Sequence, residues 1–197
     1  MSGQTSDVIV IDGEEFAIVE PASDVLFDVR SHGVAPVMMH TANTRGVNAR
    51  YRTHEGRLLL ADLQVASVDA PPVIGGTTPM TDEYGQTWTY LELDYPITWT
   101  GDLIVGGHPI RDLYVHSGFL PVWHYERVIV LDFEAGEVRS IEDWSQRVAE
   151  FRAKKTGTPV AASGGAAGGD SDPGSDDDNA FERFMSSLKV RFGLEEG

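Results

Sequence analysis

The chain has 197 residues, 41% of them hydrophobic, with 31 Asp plus Glu against 15 Lys plus Arg and no cysteine. That length holds one ordinary domain with a tail, and the hydrophobic fraction suffices for a buried core. The lack of cysteine excludes disulfides, thiolate metal sites and cysteine nucleophiles, while the net charge of -16 repels nucleic-acid phosphate, whose affinity comes from cations.

Lys154, Lys155 and Lys189 are the only lysines. An acidic surface that prefers Arg to Lys is the balance expected in molar salt, where the Debye length is about 3 Å and carboxylate self-repulsion is screened. A halophilic, archaeal, cytoplasmic setting is therefore expected. No run of about 18 apolar residues is present to span a bilayer, and "MSGQTSDVIV" lacks the basic, apolar pattern of a signal peptide.

From Asp7 to Ser140 the pattern predicts short strands separated by turns. "VIVIDGEEFAIVE" sets Asp12-Gly13 between two apolar runs, a hairpin signal because Gly accepts the positive φ of a tight turn. The same punctuation recurs at Glu55-Gly56, Gly101-Asp102 and Ala135-Gly136. Hairpins without intervening helical patterns predict a mainly β domain, α+β by strict count: an antiparallel β-sandwich or partly open barrel. Between them, Asp69 to Gln86 is rich in Pro, Gly and Thr and predicts a long surface loop.

Within "YVHSGFLPVWHYE" a strand over Leu113 to His116 would place Tyr114 and His116 on one face. Gly118 breaks that strand, Pro121 marks a turn or edge, and the next strand runs from Tyr125 to Phe133. In "HTANTRGVNARYR", Arg45-Gly46 suggests a bend whose guanidinium grips a carboxylate, with Glu126 or Asp132 as the candidate partner. Ser140 to Lys155 predicts the one helix packed on the sheet, capped by Ser140 and Asp143, with Ile141, Trp144, Val148 and Phe151 as its apolar stripe.

Residues 1–155 thus form the expected globular domain, and 156–179, with no aromatic and no cation after Lys155, read as a disordered acidic linker of Gly, Ala, Ser and Asp. Order is expected to return at 180–193. There Phe181, Phe184, Met185, Leu188 and Phe192 share one face of an amphipathic helix, with Asp178 or Asn179 as cap and Gly193 as stop. A helix of about thirteen residues is marginal alone and must dock, either on its own domain or on a protein partner.

The chemistry-bearing motifs are few. Counted from Asp170, "DSDPGSDDDNAFE" puts Ser175 and Phe181 where a calcium loop needs Gly and a bidentate Glu. No P-loop, dinucleotide fingerprint or G-x-S-x-G elbow occurs. His32, His40, His54, His108, His116 and His124 include no pair at i, i+2 or i, i+4, so neither a metal nor a cofactor is expected.

The ordered set "TANTRG", "GRLLLADLQV", "ITWTGDLIVG", "LYVHSGF" and "YERVIVLDFEAGEV" resembles a family of small, uncharacterised prokaryotic β-rich proteins. In its T-A-x-x-R-G … Y-V-H-x-G-[FY] pattern, Thr41, Ala42, Arg45 and Gly46 match the first motif, and Tyr114, Val115, His116, Gly118 and Phe119 match the last. Trp99 stands where the pattern has Phe before Gly101 and Leu103. The likeness spans residues 38–138 and implies that Arg45, Tyr114 and His116 belong together. Two functions compete. One is a non-enzymatic interaction or adaptor module that docks a protein partner through the C-terminal helix. The other is a small-molecule binder or hydrolase built on Tyr114, His116 and Arg45, with His116 as general base.

Overall fold

Asp12-Gly13, Glu55-Gly56 and Ala135-Gly136 all hold positive φ at both positions (51° and 83°, 51° and 74°, 50° and 81°), which makes each a type I′ turn. They join β1 (Val8–Ile11) to β2 (Glu14–Glu20), β3 (Val47–His54) to β4 (Arg57–Ala66), and β9 (Tyr125–Glu134) to β10 (Glu137–Asp143). The computed structural model describes residues 3–20, 26–113 and 118–156, side chains to residue 153. Residues 1–160 form one compact unit; residues 161–197, which carry the expected amphipathic helix, lie outside the described residues.

The remaining strands are β5 (Met80–Thr81), β6 (Thr87–Tyr90), β7 (Tyr95–Pro96) and β8 (Gly101–Pro109). All ten share one sheet, in the order β10-β9-β8-β2-β1-β3-β4-β6-β5, with β7 on β4. Every pairing is antiparallel except that of β1 with β3, so the sheet is mixed rather than wholly antiparallel. The sheet curls until β10 meets β4 at one residue pair, Glu137 opposite Arg57, leaving a ring that falls short of a true barrel.

Alternation decides what fills the ring. Ile9 and Ile11, Phe16 and Ile18, Tyr51, Leu58 and Leu60, Leu103 and Val105, and Leu131 and Phe133 form one buried cluster. A bulge between Arg50 and Tyr51 against β4 shifts the register there, and Leu63 and Val65 still reach the same core. Strands β8 and β9 are buried on both faces: Ile104, Val128 and Val130 lie outside that cluster and are also buried. Helix α1 (Ser145–Thr156) packs against β9 and the 3-10 turn Val122–His124, where Val148 and Val122 are buried. Arg152 anchors the helix by donating to the carbonyls of Trp123 at 2.7 Å and Tyr125 at 2.6 Å. Gly106 is needed beneath this layer, because a Cβ there would lie 2.4 Å from the Tyr125 ring.

Three expected elements differ. The helix starts at Ser145, not Ser140: residues 137–143 continue the sheet, Ile141 is 53% exposed, the Trp144 carbonyl accepts from the Val148 N–H at 3.0 Å, and Asp143, one residue earlier, steadies the start by accepting from the Ser145 N–H through Oδ1 at 2.9 Å. Gly101-Asp102 is no hairpin turn but the start of β8, which pairs with β2 and β9 while the preceding β7 pairs with β4. Leu113 closes a 3-10 turn (Arg111–Leu113) rather than opening a strand, and residues 114–117 lie outside the described residues.

On the outer face of the sheet Asp102 stands directly opposite Asp132. Burial, then the charges of Asp132 and Glu142, raise the Asp102 pKa above the ordinary 3.8. The folded chain therefore holds this proton more tightly than the unfolded chain, and the stabilisation it gives in acid is lost as pH rises through the raised value. Asp102→Asn is expected to stabilise the fold at neutral pH by roughly 0.2–1 kcal/mol, a small effect because the site is solvent-screened. Urea midpoints should show the gain at neutral pH and its disappearance in acid; equal midpoints at neutral pH would refute the repulsion.

Candidate functional site

The T-A-N-T-R-G bend is built by Asn43, a buried side chain. Its amide donates to the Val47 carbonyl at 3.1 Å and to Asn48 Oδ1 at 2.7 Å, while its Oδ1 accepts from the Gly46 N–H at 2.9 Å. His40 completes the bend by accepting from the Ala42 N–H through Nδ1 at 3.2 Å. Gly46, at φ 71°, rests on the backbone of Val37, whose carbonyl oxygen lies 1.8 Å from where a Cβ would be.

This bend aims Arg45 at Asp7. Arg45 Nη2 lies 2.9 Å from Asp7 Oδ1 and Nη1 lies 3.4 Å from Oδ2, a two-pronged grip. Asp7 Oδ1 also accepts from the Ala49 N–H at 2.9 Å. The carboxylate is 2% exposed and the guanidinium side chain 27%. Neither of the expected partners serves: Glu126 is exposed on β9, and Asp132 faces Asp102. The parallel pairing of β1 with β3, which sets Val8 opposite Arg50, carries Asp7 to this position.

Tyr51 lies in the same neighbourhood. Burial foremost, then the charge of Asp7, push its hydroxyl above the ordinary range, with Arg45 opposing in part. It therefore stays a neutral phenol and supplies no base or nucleophile at physiological pH.

The N-terminal stretch joins two of the sequence motifs. Gln4 N–H donates to the Gly118 carbonyl at 2.7 Å, and Thr5 N–H donates to the Ala42 carbonyl at 2.8 Å. The Gln4 side chain donates to the Thr41 carbonyl at 3.0 Å and accepts from the Thr44 hydroxyl at 3.0 Å. Residues 3–5 are thus held by Gly118 on one side and by the T-A-N-T-R-G bend on the other. Arg45 is placed; Tyr114 and His116 lie outside the described residues, as do Phe181, Phe184, Met185, Leu188 and Phe192.

A second surface was not legible in the sequence. Val37, Met38, Val68 and Tyr84 line one groove between the segment before the bend, the end of β4 and the β5–β6 turn. The only sequence signal was the apolar run after Pro36 beside a Pro- and Gly-rich loop, a pattern that equally describes core. Among the described residues no group of three or more His, Cys, Asp or Glu is placed to hold a metal ion. No family model, no curated protein and no solved structure matches the chain.

Proposed function

We propose that this chain is a non-enzymatic interaction module, an adaptor whose C-terminal segment, residues 180–193, docks a protein partner through Phe181, Phe184, Met185, Leu188 and Phe192. The observation that carries this reading is the Asp7–Arg45 pair. Arg45 is the cation that the competing reading assigns to a small-molecule ligand, and its guanidinium is paired with a buried carboxylate that also accepts from the Ala49 N–H. The competing reading, a binder or hydrolase using Tyr114, His116 and Arg45, requires that guanidinium to leave Asp7 and strand the carboxylate.

The acid-rich, lysine-poor composition supports a salt-rich archaeal cytoplasm as the setting and a protein rather than nucleic acid as the partner. No helix among the described residues is long and apolar enough to cross a membrane. The kinship suggested by the T-A-N-T-R-G and Y-V-H-S-G-F motifs is likewise proposed, and it bears on shape alone.

The test is affinity capture in molar KCl with the full chain and with the variant Phe184→Asp, Leu188→Asp. A stoichiometric protein held by the first and lost by the second, at unchanged melting temperature, is the expected result. Equal capture by both chains would remove the segment from the function.

A further inference from the structure

Four large apolar side chains meet around the groove between β4 and the β5–β6 turn. Val37 is 42% exposed, Met38 61%, Val68 78% and Tyr84 78%. Scattered single exposures are ordinary on a protein surface, but contiguous ones mark an interaction site. The groove is also held in shape by backbone: the Val37 N–H donates to the Ala66 carbonyl at 2.9 Å and the Ser67 N–H to the Gln86 carbonyl at 3.1 Å. The ordering cost on the groove's side of a complex is correspondingly small.

Its charge selects what fits. None of the residues lining the groove is charged. The flanks are acidic and exposed: Asp69 follows Val68, and Asp82 and Glu83 precede Tyr84. Asp82 accepts from the N–H groups of Tyr84 and Gln86, both at 3.2 Å, which fixes the turn that carries Tyr84. A complementary ligand has an apolar stripe flanked by cations.

Residues 181–192 of the sequence have that chemistry. Phe181, Phe184, Met185, Leu188 and Phe192 are interleaved with Arg183, Lys189 and Arg191, against the single acid Glu182. We propose that the groove of one copy takes up residues 181–192 of a second copy, so that the partner of this module is the chain itself. The inference rests on the reading of that segment as a docking stripe and names what it docks on. Every molecule carries both halves of the pair, so reciprocal exchange closes a two-fold dimer, while one-way exchange extends into open assemblies. Molar salt screens the repulsion between two chains of net charge -16 and leaves the apolar contact in force.

Sedimentation velocity of the full chain in molar KCl, over a concentration series, tests this with two full-length variants. Val68→Asp with Tyr84→Asp disables the groove at exposed positions; Phe184→Asp with Leu188→Asp disables the segment. The wild-type chain is expected to associate, and each variant alone to need at least tenfold higher concentration to do so. An equimolar mixture of the two variants is expected to form a one-to-one pair, since one supplies an intact segment and the other an intact groove. A wild-type chain that is monomeric throughout overturns the proposal, and so does a mixture that stays monomeric; a segment variant that associates as readily as the wild type overturns it too, and would mean that groove meets groove. If the mixture fails while the segment variant still loses a captured foreign protein, the adaptor reading stands and this inference alone falls.

Discussion

Replacing Arg45 with methionine is expected to destabilise the fold by about 3–5 kcal/mol, and replacing Asp7 with asparagine to destabilise it by less, about 1–3 kcal/mol. The asymmetry comes from burial. Asp7 is 2% exposed, so loss of Arg45 leaves a charged carboxylate without water or counter-charge. Arg45 is 27% exposed and turns to solvent when Asp7 is neutralised, while the asparagine carbonyl still accepts from the Ala49 N–H. Urea unfolding read as a shift of midpoint at constant slope measures both. A reversed order, or a cost below 1 kcal/mol for Arg45→Met, would mean that the guanidinium is available for another task and would revive the hydrolase reading.

Gly46→Ala is expected to cost about 4 kcal/mol, among the largest effects a single small substitution gives. Two terms add. A residue with a side chain is strained at φ 71°, and its Cβ would lie 1.8 Å from the Val37 carbonyl oxygen, backbone that has no rotamer with which to retreat. Gly13 separates the terms, since it holds φ 83° with nothing within 4 Å of a Cβ; Gly13→Ala should show the conformational cost alone, about 1 kcal/mol. Equal destabilisation by the two substitutions would show that the chain before the bend yields without penalty.

Three turns were legible because each sets a Gly, at 13, 56 and 136, at the second turn position between apolar runs; Asp12 is a favoured first residue there, whereas Glu55 and Ala135 are held at positive φ by the strands they join. Gly101 carried the same signal for another reason: a Cβ there would lie 3.0 Å from the Trp99 ring, so the glycine marks a close approach rather than a reversal. The helix onset was displaced because Ile141 and Trp144 fit a helical stripe, although Ile141 sits on an edge strand with its side chain exposed. Asp7 escaped notice as the partner of Arg45 because 38 residues separate them and a parallel pairing joins them. Local chemistry is printed in the sequence, whereas parallel contacts depend on a crossover that no short window contains. The groove was illegible for a related reason, since Val37, Met38, Val68 and Tyr84 come from three segments that only the folded sheet assembles.

The single rung between Glu137 and Arg57 makes the ring's weakest line identifiable. Thermal breathing favours lines where few bonds must part, and here they are those from the Leu58 N–H to the Gly136 carbonyl and from the Val138 N–H to the Gly56 carbonyl, so β10 is expected to part early from β4. Beyond that pair the edge of β10 is already open and bears Arg139, Glu142 and Asp143, whose ionic fringe discourages a stranger's backbone from zipping on. Partial opening of the ring therefore presents a charged edge rather than an apolar one to a passing strand.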